Sequence, residues 1–334
     1  MSAPARARSP VTAALREIQA PVRARLAAVT EELRRIVSAE LPLIAEVGEH
    51  LLAMRGKMFR PTLTLLASEV EGTPEPRAVT LAAVVELIHL ATLVHDDAVD
   101  HSVLRRGMPT VNSVFSHEVS VIMGDFLYAR ALAVLVRDGD LETLRIISAA
   151  SNAMTVGEMR QLAALDALSF DEDDYYALIG AKTAALMSAA CEVGALCGAA
   201  RHRAALARFG AQLGLAFQIA DDLLDYTEAS ATTGKPSGLD LREHKVTLPL
   251  IAALRQMPAA ARARVEALFA TPEPDDALIA EVVGIAQQYG GIEYARRQGE
   301  RFAREAEGAL SALPASRAAD ALLDAVSYVM DRRR

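Results

Sequence analysis

The run Leu81-Ala82-Ala83-Val84-Val85-Glu86-Leu87-Ile88-His89-Leu90-Ala91-Thr92-Leu93-Val94-His95-Asp96-Asp97-Ala98-Val99-Asp100 contains no glycine or proline and ends in three carboxylates. Its apolar positions Leu81, Val84, Val85, Leu87, Ile88, Leu90, Leu93 and Val94 keep a helical period. On such a helix Asp96 and Asp100 are i and i+4, with Cβ atoms about 5–6 Å apart on one face, while Asp97 points elsewhere. Like charges so placed repel. A hard divalent cation relieves the repulsion, and Mg²⁺ characteristically takes one or two carboxylates, keeps waters and completes its shell with substrate phosphate. A solvated acidic helix end is the plainer reading of one such motif taken alone.

The pattern recurs at Asp221-Asp222-Leu223-Leu224-Asp225, again after an apolar stretch, Leu213 to Ala220. Neither copy has the alternating acids, central glycine and distant glutamate of an EF-hand loop. Inward-facing carboxylates on separate helices are a common way to build a metal site inside a bundle. A di-iron site would need repeated Glu-x-x-His pairs, and Glu86 with His89 is a single copy.

Outside these motifs nearly every segment keeps the helical period, and separate strand-like runs are missing. The expected fold is all-α. Helices are expected over 22–39, 41–54, 60–71, 77–100, 119–137, 141–166, 173–199, 203–228, 243–256, 259–270, 277–289, 291–311 and 316–331. Residues 1–20 are expected to be a flexible N-terminal segment and 21–334 one domain. The longest irregular piece, Ala229 to Leu241, includes Thr233-Gly234-Lys235-Pro236-Ser237-Gly238, where a flexible cationic loop is expected.

With 52% hydrophobic and 23% charged residues the chain of 334 has material for a large core and enough charge to stay dissolved. Its net charge of −8 and scattered basic residues argue against a nucleic-acid surface. The two cysteines, Cys191 and Cys197, lie in an Ala-rich apolar stretch and read as small buried side chains in a reducing cytoplasm. The most apolar run, Ala184 to Ala200, contains Glu192 and falls short of the ~20 apolar residues of a membrane span. No stable membrane insertion is expected.

Cations flank the acidic motifs. Arg105-Arg106-Gly107 follows the first, and guanidinium forks suit bidentate phosphate contacts. Lys57, Arg60 and His89 precede it, and Lys182, Lys235 and Lys245 come later. Lys182 directly precedes the uncharged run Thr183 to Cys191, where a helix enters the interior.

These residues in this order resemble the trans-isoprenyl diphosphate synthase (polyprenyl synthetase) family, in particular its long-chain octaprenyl and nonaprenyl members. The resemblance rests on Gly56-Lys57-Met58-Phe59-Arg60-Pro61, Ile88 through Asp97, Arg105-Arg106-Gly107, Gly124-Asp125, Lys182-Thr183, Gln218-Ile219-Ala220-Asp221-Asp222, and Gly238 through Pro249. It departs from the family's usual Gly-Gly-Lys-Arg-x-Arg-Pro at Arg55 and Met58. The resemblance implies a single-domain antiparallel helical bundle around a deep central cavity, and the Mg²⁺-dependent (or Mn²⁺-dependent) condensation of isopentenyl diphosphate onto an allylic primer, farnesyl or geranylgeranyl diphosphate. It implies Asp96, Asp100, Asp221 and Asp225 as metal ligands, with Asp97 and Asp222 beside them. It places Lys57, Arg60, His89 and Arg106 around the isopentenyl diphosphate. Arg105, Lys182, Thr183, Gln218, Lys235 and Lys245 would hold the allylic diphosphate. It also implies a homodimer.

In this family, bulky aromatics one turn before the first acidic motif end the product tunnel early; Ala91 and Thr92 are both small, which resembles synthases of long products. Val119, Val121, Ile122 and Phe126 are candidates for a deeper floor. A shorter-chain synthase, making farnesyl or geranylgeranyl diphosphate, is the runner-up. A terpene cyclase is disfavoured by 4% aromatics and no Trp, and a non-catalytic subunit by the intact, mutually repelling acids.

Overall fold

The computed structural model describes residues 15–54, 56–163, 167–227 and 238–331. Among the described residues fourteen longer helices carry the fold: α1 (Arg23–Val37), α2 (Pro42–Ala53), α3 (Phe59–Ser68), α4 (Arg77–Val99), α5 (His117–Asp138), α6 (Leu141–Ala163), α7 (Glu172–Ile179), α8 (Ala185–Leu196), α9 (Arg203–Thr227), α10 (Leu248–Leu254), α11 (Ala259–Ala270), α12 (Asp276–Gln288), α13 (Gly291–Leu310) and α14 (Arg317–Met330). The all-α expectation holds. The strand content among the described residues is one hairpin, Leu104–Arg105 paired antiparallel with Met108–Pro109.

Helix ends follow local chemistry. Ser116, Asp171, Asp275 and Ser316 accept from the N–H three residues on, opening α5, α7, α12 and α14. Gly139, at φ 76°, closes α5 in the left-handed conformation. Asp140 then starts α6: its carboxylate accepts from the Glu142 amide at 2.9 Å and takes the Arg77 guanidinium at 2.8 Å. Chiefly the Arg77 hydrogen bond holds Asp140 down to a pKa of about 2.

α4 is the central helix. Leu81 through Ile88 is buried without a break, as expected of a helix apolar all round. It lies against α1, α3, α5 and α8, while α9 packs between α8 and α13. A Cβ added at Gly210 would stand 2.4 Å from the Met187 carbonyl oxygen, so this glycine allows α9 to cross α8 closely.

Several boundaries differ from expectation. Residues 173–199 are not one regular helix: Gly180–Ala184, holding Lys182 and Thr183, is a π-helical turn between α7 and α8. The helix expected over 243–256 forms only over Leu248–Leu254: residues 243–247 are non-helical, and Pro249 fits a first turn, where its missing N–H costs nothing. Leu239–Arg242 is helical inside the stretch expected to be a loop; Lys235 lies outside the described residues. Leu15–Ile18 is helical with Ile18 fully buried, so packing begins before residue 21, and residues 1–14 lie outside the described residues.

Three helical stretches are long and apolar enough to cross a membrane by length and composition: Arg77–Val99, His117–Asp138 and Glu172–Leu196. Only the last of these overlaps the most apolar run of the sequence, Ala184 to Ala200. Two thirds of the apolar window of Arg77–Val99 is enclosed by the bundle, and that helix ends in the acidic motif. α5 instead leaves Ile122, Leu132 and Val136 exposed.

Gly210→Val is expected to destabilise the protein by about 3 kcal/mol, the upper end of over-packing costs, since the added atoms meet backbone that cannot rotate away. Denaturant unfolding of the two proteins measures this.

Candidate active site

The face of α4 carrying His89, Thr92, Leu93 and Asp96 is only partly buried, in contrast to the run before it. Burial raises the Asp96 pKa to about 6; Lys182 pulls it down, and Glu158 and Asp100 push it up. Asp97 turns away and is buried, with Arg105 Nε donating to its two oxygens at 2.8 and 2.9 Å. Arg105 is presented by the short hairpin, whose turn residues Arg106 and Gly107 have φ of 52° and 76°. Positive φ at both turn positions matches the right-handed twist of the flanking strands.

The second motif lies on α9. Asp222 is buried and accepts from Tyr175 Oη at 2.6 Å and Gln218 Nε2 at 2.8 Å. Thr183 Oγ1 in turn donates to Gln218 Oε1 at 2.8 Å. Burial raises the Asp222 pKa to about 6. Asp221 is exposed at the end of the same helix. Asp225 accepts the backbone N–H groups of Leu239 and Asp240 at 2.9 and 3.0 Å, which ties the chain after residue 237 back onto α9. Asp240 is raised to about 8 by burial and then by Asp222 and Asp225.

Cations join the two motifs. Lys182 Nζ donates to Gln161 at 3.0 Å, pairs with Glu158, and acts on Asp96. Burial works to lower the Lys245 pKa, but its 2.6 Å bond to Glu243 and the charges of Asp100 and Asp240 leave it raised. A cavity of 360 Å³ is lined by Tyr175, Lys182, Thr183, Gln218, Asp222, Asp240 and Lys245 among others.

A separate cationic group stands beside α3. Arg60 Nη1 lies 3.1 Å from His89 Nε2, and the buried Arg60 Nε has no hydrogen-bond partner. Burial lowers Arg60 to about 10, with buried Glu86 opposing and Arg106 adding to the fall. Burial and the charges of Arg60, Arg106 and Arg105 hold His89 well below the usual imidazole range. Gly56 admits Arg106, whose Nη1 would be 2.5 Å from a Cβ there. Lys57 is exposed, its Nζ 5.7 Å above the Tyr328 ring. An orphaned donor among several cations suits an anion.

Of the expected residues, Asp96, Asp100, Lys182, Thr183, Gln218, Asp222 and Lys245 gather around one region, Arg60, His89 and Arg106 gather beside it, and Lys57 lies exposed over Tyr328. Ala91 is packed fully in the core and Thr92 lies on the partly open face, its hydroxyl donating to the His89 carbonyl. Val121 and Ile122 are exposed on α5. Glu158, Gln161, Tyr175 and Asp240 were missed. Asp240 stood two residues after Gly238 in a segment already singled out; the other three carry no local pattern. The donors facing the cavity from the acidic motifs are oxygens, as a hard cation prefers. Among the described residues no three His, Cys, Asp or Glu side chains converge enough to hold an ion unaided.

A family model described as polyprenyl synthetase matches residues 41–286. The chain is 37% identical over 318 residues to an all-trans-nonaprenyl-diphosphate synthase (geranyl-diphosphate specific) of Rhodobacter capsulatus, covering 95% of this chain and 97% of that protein. Its structure resembles that of a decaprenyl diphosphate synthase from Rhodobacter capsulatus, with a TM-score of 0.91, 38% identity and coverage of 96% and 100%. It also resembles a polyprenyl synthase from Caulobacter crescentus complexed with calcium and isoprenyl diphosphate, with a TM-score of 0.90, 34% identity and coverage of 97% and 99%. The chain therefore belongs to the polyprenyl synthetase family and is a prenyltransferase.

Proposed function

We propose that the protein is a Mg²⁺-dependent all-trans polyprenyl diphosphate synthase that adds isopentenyl diphosphate head-to-tail to an allylic diphosphate and releases a long-chain product. The observation that carries this is the sharing of cations between the acidic motifs: Lys182 acts on Asp96 while its neighbour Thr183 is bonded to the Asp222 network, and Lys245 feels both Asp100 and Asp240. Asp96, Asp100 and Asp221 would hold the metal, with Asp225 nearby as the anchor of the following segment. Bound Mg²⁺ supplies neutralisation of charge on the leaving diphosphate. Lys182, Lys245 and Lys235 orient that diphosphate, and Arg105 holds Asp97 in place beside it.

Arg60, Arg106 and Lys57 bind the isopentenyl diphosphate. The C1–O bond of the allylic diphosphate breaks, the isopentenyl double bond attacks the allylic cation, and the departing diphosphate takes the proton released. Fixed cations close to the developing charge are the largest stabilisation available to such a step. The primer is farnesyl or geranylgeranyl diphosphate. Two buried free cysteines favour a cytoplasmic setting. The exposed apolar side chains of α5 favour a homodimer.

With farnesyl diphosphate and labelled isopentenyl diphosphate the expected products exceed twenty carbons, and Thr92→Phe is expected to shorten them. A discrete twenty-carbon product from the unaltered enzyme overturns the long-chain assignment. Asp96→Ala is expected to lower turnover by two or more orders of magnitude, about 3 kcal/mol or more of lost transition-state stabilisation, with an unchanged circular dichroism spectrum.

Asp96 and Asp222 are raised to about 6 and Asp240 to about 8 from 3.8. A carboxyl whose folded pKa is raised contributes stability below its unfolded value and loses it as pH climbs through the folded one. The metal-free protein is therefore expected to lose stability between about pH 4 and pH 8, by on the order of 3 kcal/mol each for Asp96 and Asp222 and more for Asp240. Mg²⁺ with inorganic diphosphate should flatten this slope in thermal melts.

A further inference from the structure

We infer that Tyr175 is a positioning residue for the reaction, holding the middle carboxylate of the second acidic motif. This rests on the metal-dependent reading above. Tyr175 is 2% exposed and Asp222 7%, and the phenol donates to Asp222 Oδ2 at 2.6 Å. Gln218 holds the other oxygen at 2.8 Å and is itself held by Thr183 at 2.8 Å. The chain Thr183, Gln218, Asp222, Tyr175 thus ties three backbone elements together: α7, the π-helical turn beside Lys182, and α9.

A carboxylate with one donor keeps a soft terminal torsion; with a donor on each oxygen its plane is set. Asp222 is therefore presented to the cavity in one orientation, and the phenol supplies the half of that constraint that Gln218 cannot. The ring packs edge-on against Tyr176 at 5.7 Å, a contact that phenylalanine would keep. The hydroxyl is thus separable from the packing.

The test is Tyr175→Phe in the full-length enzyme. One hydrogen bond to a charged group is worth roughly 1.5–3 kcal/mol, so the Mg²⁺ concentration for half-maximal rate should rise roughly tenfold to a hundredfold. The KM for isopentenyl diphosphate should stay within about twofold, and the metal-free melting temperature within a few degrees. In an Asp222→Asn background the same change should add less than about threefold, because the two residues act as one unit. Unchanged Mg²⁺ dependence overturns the inference. So does a parallel change in Mg²⁺ dependence, isopentenyl diphosphate KM and melting temperature, which marks a packing role, or full additivity with Asp222→Asn. Absence of Mg²⁺-dependent prenyl transfer in the unaltered enzyme instead overturns the functional reading beneath it.

Discussion

Carboxylates withdrawn from water against their own repulsion are the constraint around which this molecule is arranged. Asp96, Asp222 and Asp240 are all raised chiefly by burial, and in each case neighbouring acids push further. Each uncompensated charge in such a place disfavours the fold. The bundle tolerates the set because Lys182 acts on Asp96, Lys245 acts on Asp240, and Tyr175 and Gln218 donate to the oxygens of Asp222, while Arg105 and two backbone amides hold the adjacent Asp97 and Asp225. The opposing frame is apolar: α4 is buried without interruption from Leu81 to Ile88, about two turns before Asp96, so the acidic end cannot withdraw without unpacking the centre of the protein.

Under the proposed function the two charged regions would hold diphosphates by opposite means. Beside α3, cations outnumber acids: Arg60 and Arg106 both act on buried Glu86, and this suits direct contact with an anion. At the ends of α4 and α9, acids outnumber cations, and an anion would be repelled unless a divalent ion came with it. His89 belongs to the first region. Arginine can only donate, so the short Arg60 to His89 contact makes Nε2 the acceptor and leaves the proton on Nδ1. A neutral imidazole there adds a donor without adding to the repulsion among the guanidinium groups.

Periodicity made the helices and both acidic motifs legible in the sequence, because an i, i+4 pair of aspartates at the end of an apolar run has a physical meaning that needs no partner. The cations were legible as types at the right places. Tyr175, Glu158 and Gln161 were not, since each matters only through a side chain brought to it from another helix. The boundaries misread over 173–199 and 243–256 have one cause: both hold site residues, Lys182 and Lys245, in backbone that leaves the α-helical repeat. Exposure on α5 was also hidden, because an apolar helix reads the same whether the bundle or something beyond it covers the face.

Irregular backbone is in fact concentrated where the chemistry is. Among the described residues four non-glycine residues have positive φ: Met58, His101, Arg106 and His244. Each is, or directly follows or precedes, a residue assigned to the site: Lys57, Asp100, Arg106 and Lys245. Such conformations cost of order 1 kcal/mol or more and persist only where the surroundings hold them. The π-helical turn places Lys182 and Thr183 in the same class. Regular helices fix the distances across the bundle, and local departures from regularity aim the charged side chains that close its open end. The Met58 departure from the family's usual arginine falls at one of these strained positions, so the change alters a side chain without relaxing the turn that presents Lys57 and Arg60.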